Sequence, residues 1–487
     1  MKLTFAGLCV TLCLSLASSR IATAQISPDV RDTANRLAGS VYTGPSMETL
    51  QELSDGFGGR LSGSPAHNRA ADWAEAKFRS FGIQNVRLEP FIMPNGWQRG
   101  SAHGEMLAPI QRPLHLESLG WAPSTPDGGV KGEVIVLDDV AADVIKGKAD
   151  QLKGKVVILN TEKIFANGWQ KVLGAVMAAP ENLKNVGAVA MIFPDSAKNN
   201  VINATSLDWG GHMSVLPGAE LGMEDSALIR RLLEKGPVSI RFELHNTTSG
   251  PTQVNNVVAE LRGRELPDEW IIIGAHLDSW DFGTGAEDNG TGSASVLEVA
   301  RALAAAGKAP RRSIRFALWG GEEEGLLGSY AYVQAHLGEI SKCVAVLNTD
   351  NGSGHPKGWK VEGRKELKDA MQPISDSLLK DIGGGGLSME VTYDTDHGPF
   401  MLQGVPSLDL WVDMKPYFEL HHKSSDTYDK VDAVDFKAGS AIVVATAWVI
   451  AEGAKPIAGH IDHAAVAEIL KKEGLDQLLT EVGQWKP

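Results

Sequence analysis

The sequence predicts an α/β protein: a central, mostly parallel mixed sheet flanked by helices, with a second, β-rich domain inserted into it. Three observations lead there. From residue 254 on, apolar strands alternate with helical segments, the pattern of a parallel sheet covered on both faces. Between about 119 and 249 the pattern changes to short strands separated by turns such as Asp127-Gly128-Gly129 and Lys153-Gly154. A chain of 487 residues is also too long for one ordinary core and suits two domains with extensions.

Residues 1–24 read as an export signal: Lys2 supplies the basic start, 3–17 is an apolar run, and Ala22-Thr23-Ala24 is a small-residue cleavage pattern. The run is short for a membrane span of about 20 residues. Export to the periplasm or the outside is therefore expected, with no stable span after signal removal. The first part of the main domain follows at 25–118. A helix is expected over 31–53, and 56–65 is a Gly/Ser turn region. A second helix over 65–81 carries Ala70, Trp73, Ala74, Phe78 and Phe81 at helical spacing and stops at Gly82. A strand follows near 86–91. The inserted region, 119–249, has strands at 134–137, 155–159, 188–193 and 239–244, with helices near 169–184 and 224–235. The second part, 250–487, reads as strand 270–275 and helix 293–306, strand 313–319 and helix 325–336, strand 343–348, then strand 407–412 and helix 436–451. The tail from about 455 carries an amphipathic helix with Ala465, Ile469 and Leu470 near one face.

Charge excludes one class of partner. The formal net charge is −14, and it becomes −16 once Lys2 and Arg20 leave with the signal. Such a surface repels nucleic acid. Of three cysteines, Cys9 and Cys13 fall in the signal. Only Cys343 remains, at the start of a strand, where a buried core thiol is expected rather than a nucleophile.

The chemistry concentrates at strand ends. In open parallel sheets the active site lies outside the carboxyl ends of the strands. His276, Glu322, Glu323 and Asp350 each fall just after an expected strand. With Asp278, Asp288 and the pair His421-His422 they make a mixture of imidazole and carboxylate, the ligand set of zinc. The count exceeds what one tetrahedral ion needs and points to two metals sharing a carboxylate. Asp288, in the glycine-rich turn Gly285-Ala286-Glu287-Asp288-Asn289-Gly290, suits the bridging position. Asp278 is placed to orient the His276 ring, and Asp426, four residues after His422, to orient that histidine. In the run Glu322-Glu323-Glu324 adjacent carboxylates divide the work, one binding metal and one facing the reacting water as general base. His212, His336 and His355 lack such partners and read as structural or surface residues.

These motifs, with Gly59-Arg60-Leu61-Ser62-Gly63-Ser64 and Asp396-His397-Gly398-Pro399-Phe400, resemble the M28 family of co-catalytic zinc exopeptidases over most of 45–450. The His-His pair followed by Asp426-Thr427 looks most like the family's plasma glutamate carboxypeptidase branch, which carries an inserted protease-associated (PA) domain. The resemblance implies the zinc exopeptidase fold and two Zn²⁺ per chain. It implies His276, Asp288, Glu323, Asp350 and His422 as ligands, with Asp288 bridging. Glu322 would be the general base acting on a metal-bridging water. Counting back from Gly325-Leu326 leaves Glu324 as the variable residue. Asp278, Asp426, His421, Asp396 and His397 would support the ligands or meet substrate. The implied activity is hydrolysis of dipeptides or short peptides. The alternatives are an aminopeptidase acting on longer peptides, a one-zinc cyclase of related fold, and a non-catalytic binding protein on the same scaffold. A homodimer is a further expectation from the resemblance.

Overall fold

The computed structural model describes residues 26–487, so the expected signal at 1–24 lies outside the described residues. The main sheet has eight strands. Their order is Asn85–Met93, Thr252–Leu261, Arg312–Trp319, Leu266–His276, Cys343–Asn348, Ser407–Val412, Pro356–Lys360 and Gly386–Ser388. Leu266–His276 runs parallel to both of its neighbours, and Cys343–Asn348 runs parallel to Ser407–Val412. The two strands at one edge and Pro356–Lys360 pair antiparallel, so the sheet is mixed around a parallel centre.

The central strand shows why. Its side chains alternate between faces, yet both sets are apolar. Ile271, Ile273 and Ala275 join the core that holds Phe78, Val296, Phe316 and Ile442. Trp270 and Ile272 join the opposite core, with Tyr332, Val333 and Phe400. Helices therefore cover both faces. Helix Ala433–Glu452 is apolar and long enough to cross a membrane, but most of it is buried against Pro28–Tyr42 and Thr291–Ala304. It is read as the core helix of this layer.

A second eight-stranded sheet is built from residues between Trp97 and Thr248. It draws on Trp97–Ala108, Arg112–Leu114 and Leu116–Ser118, ahead of residue 119 where the composition shifts. Val130–Leu137, Val156–Leu159, Ala190–Pro194 and Gly218–Leu221 run parallel. This module is thus α/β rather than simply β-rich. Val156 and Ile158 face one core with Ile229, while Val157 and Leu159 face another with Leu183.

The helix expected over 31–53 is two, Pro28–Tyr42 and Ser46–Phe57, because Gly44-Pro45 cannot continue the first. Cys343 is buried, as its strand position predicts, and burial pushes its thiol pKa far up.

Candidate active site

Three parallel strands end at the same rim and deliver the site. His276 is the last residue of Leu266–His276, the loop carrying Glu322 and Glu323 follows Arg312–Trp319, and Asp350 follows Cys343–Asn348. The turn at 285–290 brings Asp288 among them. Gly285 opens that turn at φ +58°, and a Cβ there would lie 2.3 Å from the Ser279 Cβ. No other residue fits so close an approach.

Asp288 is the hub. Its Oδ1 lies 3.2 Å from His276 Nε2, and its Oδ2 lies 3.3 Å from His422 Nε2. His276 Nε2 is also 3.2 Å from Asp350 Oδ1, and His422 Nε2 is 3.1 Å from Glu323 Oε2. Two clusters result, His276 with Asp350 and His422 with Glu323, and one oxygen of Asp288 faces each. Glu322 stands 3.9 Å from His276 Nε2. His421 stacks on His422 at 3.6 Å between ring centroids and reaches Asp288 Oδ2 at 3.5 Å. Asp288, His421 and His422 offer a set of ligand atoms close enough for one ion, as do His276, Asp288 and Glu323.

Electrostatics make this cluster fit a cation. Burial pushes Glu322 and Glu323 well above the usual carboxylate range, and neighbouring acids add to it. Burial alone would lower His276, but Asp350 and Glu322 hold it well above the usual imidazole range. Against burial, the surrounding histidines hold Asp288 below its ordinary value. Burial lowers His422 and takes His421 to about 3, so both rings are neutral and free to ligate at neutral pH. Acids crowded in a buried hollow repel one another, and a divalent cation relieves that while taking the place of the His276 proton. The residues present therefore fit zinc in donor type and in charge.

The model for peptidase family M28 matches residues 256–447. Carboxypeptidase Q of Mus musculus is 30% identical over 426 residues, covering 84% of this chain and 86% of that protein. The chain belongs to peptidase family M28. It is a metallo-exopeptidase of that family, as the resemblance of its motifs implies. The Homo sapiens carboxypeptidase Q is 29% identical, covering 84% of this chain and 85% of its own. Among solved structures, a peptidase M28 precursor from Shewanella amazonensis aligns with a TM-score of 0.78 at 27% identity, over 89% of this chain and 99% of that one. A zinc aminopeptidase from Bacillus subtilis shares the fold, with a TM-score of 0.64 at 20% identity over 88% and 98% of the two chains.

Several supports of this M28 site differ from expectation. His276 Nδ1 lies nearer the Asp278 backbone oxygen, at 3.0 Å, than the Asp278 carboxylate, at 3.5 Å. That carboxylate accepts from Ser62 Oγ and from the Glu323 amide. Asp426 does not orient His422. Its two oxygens accept the backbone N–H groups of Glu287 (2.7 Å) and Asp288 (3.1 Å), so it fixes the turn that carries the hub. Sequence spacing missed this because the 422–426 loop folds over the 285–290 turn, as the Thr284 amide bonding to the Asp426 carbonyl shows. Burial raises the Asp426 pKa to about 7.

Asp396 is buried with both oxygens unpartnered and is raised by burial to about 8, while His397 turns to Glu362 at 3.5 Å. His336, His355 and His212 do have acidic partners: Glu89 and Glu339, Asp435, and Asp208. Two of these, Glu89 and Asp435, are distant in sequence and were invisible there.

Arg60 also escaped the residue-by-residue reading. Its buried guanidinium donates to the carbonyls of Leu277, Gly58, Thr284 and Gly285 and clamps the loop between His276 and Asp288. Burial lowers its pKa to about 10, so it stays charged. Only the Gly59–Ser64 motif hinted at it.

Asp426→Asn turns one acceptor into an N–H facing a backbone N–H. We expect zinc affinity to fall about 10–100-fold with the fold intact, as for other residues that brace ligands. Equilibrium zinc titration of the apo-protein checks it.

Proposed function

We propose that the chain is an exported di-zinc exopeptidase that hydrolyses dipeptides or short peptides. The single observation that carries this reading is Asp288, with one carboxylate oxygen at His276 and the other at His422. One side chain spanning two ligand clusters is the arrangement a bridged metal pair requires. His276, Asp350 and Asp288 would hold one zinc, and His422, Glu323 and Asp288 the other. When bound, zinc acts as a Lewis acid, acidifying water toward a pKa of about 7 and polarising the scissile carbonyl.

The chain's own residues do the rest. Glu322 sits beside the cluster without being needed in either ligand set. Burial raises its proton affinity, which suits a base that takes a proton from the attacking water. The water oxygen bonds to the carbonyl carbon, the C–N bond breaks, and Glu322 returns the proton to the leaving amine. His421, neutral, partly exposed and at the edge of the cluster, is assigned to substrate contact. The base assignment to Glu322, with Glu324 left out, agrees with Glu324 being wholly buried behind Asp278.

Likeness to carboxypeptidase Q favours small substrates, and so does the second module. Its loop at 195–215 reaches the site: Asn203 pairs with Lys423, and Trp209 packs on Gly325. We read this module as a PA domain covering about 97–249 rather than beginning at 119. Export through the signal at 1–24 and assembly as a homodimer belong to the same reading. A non-catalytic binding protein is disfavoured, because each expected ligand is present and converges.

A panel of Xaa-Yaa dipeptides with free, amino-blocked and carboxyl-blocked ends tests the activity. We expect hydrolysis of free dipeptides, loss on blocking one end, and slower turnover as the peptide lengthens. Faster cleavage of long peptides from the amino end would replace this reading with the aminopeptidase. Internal cleavage of an intact protein would contradict both.

A further inference from the structure

The two ligand clusters are built differently. His276 and Asp350 come straight off adjacent parallel strands of the main sheet. His422 sits in a loop, and much of what holds it comes from the second module. The Ala204 amide donates to the His422 carbonyl at 2.7 Å, and Asn203 forms an antiparallel bridge with Lys423. His422 has φ +63°, a left-handed conformation that for a side chain of this size persists only where its surroundings hold it.

The clamp is itself braced. Asp195, at the end of strand Ala190–Pro194, accepts from the amides of Ala197 and Asn203 and so shapes the loop that presents Ala204. The Gly120 amide donates to the Thr205 carbonyl at 2.8 Å and ties the loop to the module.

A second contact reaches the same cluster by another path. The Trp280 ring lies 5.9 Å from the His422 ring, and the Trp280 amide donates to Glu323 Oε1 at 3.3 Å. Trp280 is backed by Trp121, which stacks on Trp97, and both of these belong to the second module. Arg99 pairs with Asp281 at 3.0 Å, and its guanidinium lies between the rings of Trp97 (5.0 Å) and Phe282 (4.1 Å). The module thus holds 280–282 as well as His422.

We infer that the second module is a working part of one half of the metal centre: Asp195 and Arg99 are positioning residues for the His422–Glu323 metal position and not for the His276–Asp350 position. This rests on the two-metal reading above. It gives the module a role in metal retention beyond shaping access to the cleft. A shift of the module relative to the main sheet would empty one position and leave the other filled.

The test is zinc titration of the apo form of the full mature chain against a competing chromogenic chelator, with thermal unfolding as a check of fold. The wild type is expected to take two zinc ions. Asp195→Ala is expected to bind one of them about 10–100-fold more weakly, the range for residues that brace ligands, and the other within twofold of wild type. Asp195→Asn keeps one acceptor and turns the other into an N–H facing a backbone N–H; it is expected to weaken the same single ion, by less than Asp195→Ala. Arg99→Met keeps an apolar stem between the rings but removes the ion pair; it is expected to weaken the same single ion and carries the test if Asp195→Ala does not fold. Two ions weakened alike, or neither weakened, in folded variants overturns this inference and leaves the two-metal reading standing. One ion in the wild type overturns that reading and this inference with it.

Discussion

Glu322→Gln is expected to keep its zinc and lose turnover by about 10²–10⁴-fold in kcat, the range for loss of a positioned general base. The substitution replaces a carboxylate with an amide of nearly the same shape. Glu322 is 3.9 Å from His276 Nε2, farther than either Asp288 or Asp350, so the ligand clusters keep their members. The amide cannot accept the proton of the attacking water, nor return one to the amine. KM should change little, because the carboxylate acts on the proton and not on the peptide. Steady-state kinetics with zinc content measured on the same preparation decides it. Full activity in a zinc-loaded variant would remove Glu322 from the mechanism. Activity lost together with zinc would move it into the ligand set.

Asp288→Ala is expected to be more severe and of a different kind. The wild-type carboxylate serves both clusters, so its loss takes one donor from each. It also leaves His276, Asp350, His422 and Glu323 facing an empty place at the centre of a buried acidic hollow. Zinc content should fall below one ion per chain. Metal supplies several kcal/mol of transition-state stabilisation, and each ~1.4 kcal/mol is tenfold in rate, so kcat/KM should fall by about 10⁴-fold or more. Elemental analysis after dialysis, followed by kinetics with added zinc, checks this. Retention of both ions would show that Asp288 does not bridge.

The parallel centre of the main sheet was legible because Trp270-Ile271-Ile272-Ile273 is a continuous apolar run, the pattern of a strand buried on both faces, and such runs alternate with helical segments. The candidate site positions were legible because strand ends carry them: His276 closes one strand, and the Glu322–Glu324 run and Asp350 follow two others, while the choice of Glu323 within the run came from the family resemblance. Asp426 was located but misassigned. Its spacing from His422 suggested a local partner, whereas chain reversal placed it under the Asp288 turn. The strands Trp97–Ala108 and Thr252–Leu261, each one in from a sheet edge, were missed, since Gly100, Gly104 and the polar run Asn255-Asn256 interrupt any simple alternation. The contacts of Ala204 and Arg99 with the site were beyond sequence reasoning. A backbone amide carries no side-chain signal, and Arg99 lies 182 residues from the aspartate it pairs with.

The most direct measurement is anomalous diffraction at the zinc absorption edge from crystals of the wild-type protein. The account predicts two zinc peaks per chain, about 3.5–4 Å apart, with the Asp288 carboxylate between them, His276 and Asp350 at one and His422 and Glu323 at the other. A single peak, or two peaks that do not share Asp288, would contradict it.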